Sequence, residues 1–532
     1  MNDNNSMTLQ DLRVLYDLSI YNCVHFGPYT QIIYEDLQNK VVRQYTNIEV
    51  AREATQLAAG LRAMGIEKGD RVIVMMPNCP EVVISYQAIA RAGAVIIPVL
   101  PLLKGAEVRY IAENSGAKVI ITSALLVPML QSALSALSTL HYIIATGVTG
   151  TQPTIEPQLV AYADVLAKGA DKADAYLTDL DEGAPSTNDM SVVLYTSGTT
   201  GHPKGVVLTH RNLIANAISA MGVEQDIHSN EAQLAVLPLA HSYGIVACNI
   251  AYLTGVTVVM HPRFDPASVL SAIERHKIVS FAGVPAMFVA LLYSPEAEKY
   301  DTSSLMYCVS GSAPLPVEIL KGFEQKFSCQ IREGYGLSEA APVLTAHAAD
   351  MPRKPGSVGI PIAGVEVCIV DVNDNPVPVG EIGEIIARGP NIMQGYYNMP
   401  EETQAALRHG WLHTGDMGRF DEDGYVYIVE RKKDLIIRGG FNIYPRDVEE
   451  VLATHPAVIE AAVIGIPSER MGEEVKAIVV TSRPVDAETL MAYCRERLAN
   501  YKTPSVIEFV DALPRNAIGK IDKKELRKRH VH

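Results

Sequence analysis

An alternation of two hydrophobic periods between residues 47 and 123 constrains the fold of this chain most strongly. Helix-like stretches of about a dozen residues alternate with short, almost wholly apolar runs, namely RVIVMM, AVIIPV and KVIIT. Short buried strands separated by amphipathic helices are typical of βαβ units and a parallel sheet. The same alternation of helix-like stretches and short apolar runs recurs between residues 261 and 327. We therefore expect an α/β fold for the large N-terminal part.

The hydrophobic pattern of the sequence changes near Pro355. Short apolar runs now alternate with Gly, Pro and Asn-Asp turns, as in GVEVCIVDVNDNPVPVGEIGEIIARG, and this pattern predicts β-hairpins. Residues 434–532 carry 15 basic and 15 acidic residues, whereas the whole chain has a formal net charge of −15. The changes in hydrophobic pattern and in net charge together predict two domains. The first, over residues 1–430, is large and consists of α/β layers plus a β-rich subdomain, and the second is a small α+β C-terminal domain.

The overall composition argues against several classes of protein. Acidic residues (60) outnumber basic ones (45), which argues against nucleic acid as the main partner because such binding needs clustered Lys and Arg. No apolar run approaches the roughly 20 residues that span a bilayer, and the polar N-terminus does not resemble a signal peptide. The seven cysteines are dispersed without zinc spacing. We therefore expect a soluble, cytoplasmic protein with no transmembrane segment.

The loop YTSGTTGHPKG, at residues 195–205, carries the most chemical information. Glycines let backbone N–H groups approach phosphate oxygens, hydroxyls donate hydrogen bonds, and a lysine adds positive charge, so the loop predicts a polyphosphate site. A turn rich in small residues that binds nothing would have the same composition. A Walker A loop is disfavoured because Pro203 replaces the glycine before its lysine, and Gly205 replaces the following Ser or Thr.

This loop resembles the phosphate loop of the adenylate-forming superfamily, which includes acyl-CoA synthetases, aryl-CoA ligases, nonribosomal peptide adenylation domains and firefly luciferase. Further motifs that resemble those of the superfamily follow in order: PLAHSYG (238–244), GSAPL (311–315), EGYGLSE (333–339), WLHTGD (411–416), ERKKD (430–434), RGGFNIYP (438–445) and PRNAIGK (514–520). Within the superfamily, the chain resembles bacterial fatty-acid–CoA ligases. The resemblance implies ATP-dependent conversion of a carboxylic acid to acyl-AMP with release of pyrophosphate, and then transfer of the acyl group to CoA with release of AMP.

The resemblance also implies roles for individual residues. Lys520 would be catalytic, contacting the carboxylate and the α-phosphate, and Glu339 would act beside it as a ligand of Mg²⁺. The residues implied for ATP or AMP binding are Thr196, Ser197, Gly198, Thr199, Thr200, Lys204, Gly311, Ser312, Ala313, Glu333, Gly334, Tyr335, Gly336, Ser338, Asp416 and Arg431. Without the matched motifs, Lys520 would be read as a surface charge in a basic tail and Tyr335 as a core aromatic residue.

The acyl and CoA sites are implied in the same way. The residues implied for the acyl substrate are His241, Tyr243, Ala247 and Val309. Those implied for CoA are Gly439, Gly440 and Arg263. Lys433 would lie in a hinge, residues 431–433, about which the C-terminal domain (434–532) is mobile.

The acyl-pocket residues indicate the class of acid. They are uncharged, and the pocket-forming segment contains no aspartate for an amino acid and no arginine for a dicarboxylate. We therefore expect a medium- or long-chain fatty acid, with ATP, Mg²⁺ and CoA as the other reactants. Two alternatives remain open: a ligase that loads the phosphopantetheine thiol of an acyl carrier protein, and an aryl-CoA ligase. A non-catalytic sensor would lack Lys520, Glu339 or Asp416, and all three are present.

Overall fold

The computed structural model describes residues 7–149, 157–178, 184–196, 203–222, 228–229, 231–468, 470–516 and 519–530. These residues form four β-sheets and fifteen α-helices. The helices are α1 (Asp17–Phe26), α2 (Asn47–Ala63), α3 (Pro80–Arg91), α4 (Gly105–Ser115), α5 (Val127–Leu134), α6 (Tyr162–Lys168), α7 (His210–Met221), α8 (Ser242–Thr254), α9 (Pro266–His276), α10 (Pro285–Leu292), α11 (Val317–Phe327), α12 (Pro400–Ala406), α13 (Pro445–Ala453), α14 (Ala487–Arg495) and α15 (Lys523–His530).

An eight-stranded sheet contains the βαβ units predicted from residues 47–123. In spatial order its strands are β19 (Gly395–Tyr396), β9 (Lys204–Thr209), β8 (Met190–Thr196), β4 (Val95–Pro98), β3 (Arg71–Met75), β5 (Val119–Ser123), β6 (Tyr142–Thr146) and β7 (Gln158–Ala161). Strands β3, β4 and β5 are the three apolar runs and pair in parallel, which confirms the prediction. Strands β8 and β9 are antiparallel, with Thr196 opposite Lys204, so the sheet fixes both ends of the predicted phosphate loop.

A nine-stranded sheet forms the second layer. In spatial order its strands are β16 (Ile360–Pro361), β15 (Val343–Ala346), β14 (Gln330–Gly336), β13 (Tyr307–Ser310), β12 (Ile278–Gly283), β10 (Ala232–Ala235), β11 (Thr257–Met260), β1 (Thr30–Asp36) and β2 (Val41–Thr46). Neighbours from β1 to β14 pair in parallel. Their carboxyl ends therefore meet at one edge, which is where open α/β sheets bind ligands.

Helices α2, α3, α7 and α8 lie between the two large sheets and share one apolar core with both. Helices α9, α10 and α11 cover the outer face of the nine-stranded sheet, and α4 and α5 cover the outer face of the eight-stranded sheet. The result is a stack of α/β layers, as the sequence predicts. Among the described residues, no helix combines the length and the apolar character needed to cross a bilayer.

The remaining two sheets are small and mainly antiparallel. The first consists of β17 (Glu366–Val370), β18 (Gly383–Arg388), β20 (Leu407–Arg408), β21 (Trp411–Phe420) and β22 (Val426–Arg431), and it confirms the predicted hairpins. The second, in the C-terminal domain, consists of β23 (Ile436–Arg438), β24 (Phe441–Ile443), β25 (Val458–Ser468), β26 (Gly472–Thr481) and β27 (Val506–Phe509). A single 3₁₀ turn, Lys432–Asp434, connects the two sheets.

A buried carboxylate ties β1 to the end of α9. Glu35 is 5% exposed, and its oxygens lie 2.6 Å from Arg275 Nη2 and 2.9 Å from His276 Nε2. The His261 ring lies 3.3 Å from the same carboxylate. Burial alone would raise the pKa of Glu35, but the hydrogen bonds with the two histidines and the arginine charge hold it well below its usual range. The ionised carboxylate therefore stabilises the folded state.

We expect Glu35→Gln to lower the free energy of unfolding by about 3 kcal/mol at pH 7, because breaking a buried ionic cluster leaves its partners uncompensated. Since the folded pKa of Glu35 is depressed, its contribution is fully present above the unfolded pKa near 4.5 and is lost as pH falls toward the folded pKa. The measurement is urea unfolding of the wild-type protein and of Glu35→Gln at pH 7 and pH 3.5. The difference between their free energies of unfolding should be smaller at pH 3.5. Glu401→Gln, at an exposed site on α12, is the control; an equal loss in both variants would contradict the assignment.

Candidate functional site

A cleft of about 980 Å³ lies where the carboxyl ends of β13 and β14, the β8–β9 hairpin, β21 and the C-terminal domain meet. The structure brings together in its lining the predicted residues Thr196, Lys204, His241, Tyr243, Ala247, Val309, Gly311, Ser312, Gly334, Tyr335, Gly336, Ser338, Glu339, Asp416, Arg431, Lys433 and Lys520. The predicted loop residues Ser197, Gly198, Thr199 and Thr200 lie outside the described residues.

Five other predicted residues do not line this cleft: Ala313, Glu333, Gly439, Gly440 and Arg263. Glu333 is buried, and its carboxylate accepts a hydrogen bond from the Gly356 N–H at 2.9 Å. Burial raises the pKa of Glu333 to about 7. Gly439 and Gly440 form the turn between β23 and β24, and Arg263 is exposed between β11 and α9. The predicted CoA residues are thus separated from the predicted adenylation residues in this arrangement.

One tyrosine connects the lysine of the phosphate loop to the predicted metal ligand. Lys204 Nζ lies 5.0 Å from the centroid of the Tyr396 ring. The Tyr396 hydroxyl donates a hydrogen bond to Glu339 Oε1 at 2.8 Å. Burial and the neighbouring carboxylate raise the pKa of Tyr396, so its hydroxyl remains a donor. One tyrosine in the lining of the cleft thus contacts both a cation and an anion.

The surroundings of Glu339 fit a magnesium ion that is shared with substrate phosphates. Within the described ranges, no group of three or more His, Cys, Asp or Glu side chains is arranged to hold a metal. Mg²⁺ typically keeps several waters and binds one or two carboxylates together with phosphate oxygens. Glu339 lines the cleft and, like Lys204, contacts Tyr396. It therefore fits a Mg²⁺ site in which one carboxylate comes from the protein and the other ligands are phosphate oxygens and water.

A carboxylate–guanidinium pair bridges β21 and β22 at the cleft wall. Asp416 and Arg431 are opposite each other in the antiparallel register, with Arg431 Nε 3.2 Å from Asp416 Oδ1. The other Asp416 oxygen accepts a hydrogen bond from the Tyr335 hydroxyl at 2.7 Å. The charge of Asp416 raises the pKa of Arg431. An aromatic face, a carboxylate and a guanidinium together offer stacking, hydrogen bonding and positive charge to a nucleotide.

Lys520 enters the cleft from the C-terminal domain. Its backbone is fixed by two hydrogen bonds to Asn516, one from the Asn516 N–H to the Lys520 carbonyl at 2.8 Å and one from the Lys520 N–H to Asn516 Oδ1 at 3.0 Å. Burial and then the charge of Arg431 lower the pKa of Lys520 to about 8, against the opposing effect of Asp416. Burial and the Lys520 charge lower the pKa of His241 to about 4, so this histidine is neutral at pH 7.

The start of α8 positions the predicted acyl-pocket residues. His241 is the N-cap of α8, and its Nδ1 accepts a hydrogen bond from the Tyr243 N–H at 3.3 Å. The Tyr243 hydroxyl donates to the Val309 carbonyl at 3.2 Å and so ties α8 to β13. Ala247 lies one turn further along α8 and lines the cleft with Val309. Helix and strand thus form two sides of one pocket.

Sequence reasoning missed Arg332, which lines the same cleft. Its side chain is 7% exposed, and the guanidinium carbon lies 4.0 Å from the centroid of the Tyr307 ring. Alternation along β14 places Arg332 on the same face as Gly334, and this alternation was the available signal. The cleft therefore contains a buried positive charge that the sequence-based description of an uncharged acyl pocket did not include.

Comparisons with known proteins identify the family of the chain. The model of the AMP-binding enzyme family matches residues 26–397, and that of the AMP-binding enzyme C-terminal domain matches residues 447–520. A long-chain-fatty-acid–CoA ligase of Bacillus subtilis is 40% identical over 504 residues, which cover 91% of this chain and 90% of the relative. A feruloyl-CoA synthase of an Amycolatopsis species is 39% identical over 488 residues, covering 91% and 94%.

A solved structure extends the match to three dimensions. The anthranilate CoA ligase AuaEII, in complex with anthranoyl-AMP, aligns with a TM-score of 0.89 at 28% identity and covers 98% of this chain and 99% of that chain. The family match spans both the large domain and the domain that carries Lys520. The chain therefore belongs to the AMP-binding enzyme family and is an AMP-forming acid–thiol ligase.

Proposed function

We propose that this ligase activates a medium- or long-chain fatty acid with Mg·ATP and transfers the acyl group from acyl-AMP to CoA. The observation that carries the proposal is the presence of Lys520 in one cleft with the Asp416–Arg431 pair and Glu339. These groups come from different parts of the chain. Lys520 and Arg431 supply positive charge for the carboxylate and the phosphates, and Glu339 supplies negative charge for Mg²⁺. In this proposal Tyr335 stacks on adenine, Asp416 accepts a ribose hydroxyl, and Lys204 binds the terminal phosphates.

In the first step a carboxylate oxygen of the acid attacks the α-phosphorus of ATP. The bond from that phosphorus to the bridging oxygen breaks, and pyrophosphate leaves. Two anions must approach each other, so positioning and charge neutralisation dominate the catalysis. Lys520 bridges the carboxylate and the α-phosphate, and Arg431 adds positive charge beside it. Mg²⁺, held by Glu339, would neutralise the leaving phosphates.

In the second step the CoA thiol attacks the acyl carbonyl, and AMP leaves. We propose that residues 434–532 rotate about a hinge at residues 431–433, which contains Lys433, and bring the Gly439–Gly440 turn to the cleft. The position of this turn outside the cleft while Lys520 lies inside supports two alternating arrangements. Glycine suits the turn because Gly439 and Gly440 have φ values of +57° and +85°. The exposed Arg263 is proposed to contact CoA phosphates.

The proposed class of acid is supported by the pocket walls and by one relative. Ala247 and Val309 leave room for an apolar chain, and a relative with 40% identity is a long-chain-fatty-acid–CoA ligase. An aromatic acid is the second candidate, favoured by the feruloyl-CoA synthase with 39% identity. Both candidates share the adenylation step and differ only in the shape of the tail that the pocket accepts.

A product assay tests the proposal. The purified enzyme is given Mg·ATP and acids from acetate to palmitate, with benzoate and a hydroxycinnamate, each with and without CoA, and the products are identified by mass spectrometry. Acyl-CoA from a window of aliphatic chain lengths is the expected result. Acyl-AMP that accumulates and is not consumed by CoA would indicate a carrier protein as the acceptor. Formation of thioesters from the aromatic acids alone would contradict the fatty-acid proposal.

The pH dependence of kcat/KM for adenylation should follow the fraction of Lys520 that is protonated. Because its pKa is lowered to about 8, kcat/KM for adenylation should fall tenfold per pH unit well above pH 8 as the ammonium is lost. Pyrophosphate release between pH 6 and 10 measures this limb. Lys520→Arg should be slower but should lack the alkaline fall, because guanidinium stays charged. His241, with a pKa near 4, stays neutral throughout; an unchanged alkaline limb in Lys520→Arg would exclude Lys520 as its source.

A further inference from the structure

An ion pair crosses the boundary between the large domain and the C-terminal domain close to Lys520. Lys523, the first residue of α15, lies three positions after Lys520, and its Nζ is 3.6 Å from Glu430 Oε2. Glu430 belongs to β22, in the large domain. Only 18% of the lysine side chain and 10% of the glutamate side chain are exposed. The pair therefore lies where salt screens charges weakly.

A second carboxylate holds Lys523 within its own domain. Glu449 Oε1, on α13, lies 2.9 Å from Lys523 Nζ and accepts a hydrogen bond from the Val463 N–H at 2.8 Å. Burial alone would lower the pKa of Lys523, but the charges of Glu449 and Glu430 raise it, so the lysine is charged. The start of a helix is unfavourable for a cation. The two carboxylates therefore account for the position of this lysine.

Lys523 and Lys520 belong to one tightly connected segment. The Asp522 N–H donates a hydrogen bond to the Pro514 carbonyl at 2.8 Å, which joins the residues on the two sides of Lys520. The attraction between Lys523 and Glu430 therefore acts on the whole segment and holds Lys520 in the cleft. Neither Lys523 nor Glu430 lines the cleft itself.

The proposed rotation of residues 434–532 would act differently on the two contacts of Lys523. The contact with Glu449 lies within the rotating domain and would persist. The contact with Glu430 would be lost, because Glu430 stays with the large domain. An interaction that exists in one of two states shifts the equilibrium toward that state.

We propose that the Glu430–Lys523 ion pair favours the arrangement in which Lys520 lies in the cleft, and thereby favours adenylation over thioester formation. This inference rests on the proposed function, because it uses the two arrangements of the C-terminal domain. Glu430 and Lys523 are positioning residues that act through Lys520 and not on the substrate.

The test starts two reactions from the same complex, that of the enzyme with acyl-AMP made from the best aliphatic acid of the product assay. In one, pyrophosphate attacks the α-phosphorus and releases the carboxylate, so that ATP forms by the reverse of adenylation with Lys520 in the cleft. In the other, the CoA thiol attacks the acyl carbonyl and releases AMP in the rotated arrangement. At limiting pyrophosphate or CoA, the ratio of ATP formation to acyl-CoA formation follows the ratio of the two arrangements.

Glu430→Gln should lower this ratio by about tenfold, a common size for a coupling between two states. Because both reactions use one population of enzyme, the ratio changes by the full factor even where one rate changes little. Lys523→Arg keeps the cation and should stay within about threefold of the wild-type ratio. Glu422→Gln, at an exposed site in the turn before β22, is the matched control and should leave the ratio unchanged.

A double variant tests whether the two residues act through each other. Burial raises the pKa of Glu430, the charge of Lys523 opposes this effect, and the charge of Glu449 adds to it. Lys523→Met would leave these two carboxylates facing each other without a cation, so it should lower the ratio more than Glu430→Gln does. Adding Glu430→Gln to Lys523→Met should then raise the ratio again, which two independent defects would not do.

The inference is overturned if Glu430→Gln keeps the wild-type ratio. Equal losses of ATP and acyl-CoA formation in Glu430→Gln would also overturn it, since they would indicate general damage, while the proposed ligase activity would stand. So would a further fall of the ratio in the double variant. Absence of both products from the wild-type enzyme would refute the proposed function itself. If Lys523→Met does not fold, Glu430→Gln and Lys523→Arg still decide.

Discussion

Lys520→Ala should lower the rate of acyl-AMP formation by about 10²- to 10³-fold, the range found when a charge-stabilising donor is removed from an active site. The reason is geometric and electrostatic. Lys520 lies in the cleft near Arg431 and Asp416, where a cation can draw the carboxylate and the α-phosphate together. Alanine would leave the two anions to repel each other. Transfer of the acyl group from acyl-AMP to CoA should fall less than tenfold, because in that step the thiol attacks the acyl carbon, the bond from this carbon to the AMP oxygen breaks, and no carboxylate has to approach the phosphorus.

The two half-reactions can be measured separately. Acid-dependent release of pyrophosphate reports the first, and conversion of supplied acyl-AMP and CoA to thioester reports the second. Lys524→Ala is the matched control, since Lys524 is an exposed lysine in the same C-terminal segment, and it should change neither rate. Equal loss in both half-reactions for Lys520→Ala would indicate damage to the C-terminal domain and would contradict a role confined to adenylation.

The local fold could be predicted because hydrophobic periods report it directly. The runs that form β3, β4 and β5, and the hairpin of β17 and β18, follow from patterns only a few residues long. The order of strands could not be predicted in the same way. Strand β1 lies beside β11, more than two hundred residues later in the chain, and such a pairing depends on how whole layers pack.

In the candidate site, too, single motifs could be predicted from the sequence, whereas their arrangement in space could not. Motifs indicated Asp416, Arg431 and Lys520 through resemblance, but their convergence in one cleft is a property of the tertiary structure. Tyr396 was missed because its contact with Glu339 spans 57 positions and belongs to no single motif. Gly336 was assigned to nucleotide binding, and the structure adds a packing reason: a Cβ there would lie 1.9 Å from the Pro342 carbonyl oxygen.

Glu339→Gln should lower kcat for adenylation by about 10²-fold and raise the Mg²⁺ concentration needed for half-maximal rate by at least tenfold. Glutamine keeps the size of the side chain and an oxygen that can accept the hydrogen bond from Tyr396. The substitution therefore removes mainly the negative charge, and the charge is what a hard cation requires of its ligand. The measurement is pyrophosphate release at saturating ATP over a series of free Mg²⁺ concentrations.

Tyr396→Phe separates the charge of Glu339 from its position. This variant keeps the carboxylate and the aromatic ring beside Lys204 but removes the hydroxyl that lies 2.8 Å from Glu339 Oε1. Its loss in kcat should stay below tenfold, with a small rise in the Mg²⁺ requirement, because a ligand that is less well oriented can still bind. If Glu339→Gln showed the wild-type dependence on Mg²⁺, or if Tyr396→Phe were the more damaged variant, Glu339 would be a structural acceptor and not a metal ligand. The carboxylate would then serve to hold Tyr396 beneath Lys204, and the metal would bind through phosphate oxygens and water alone.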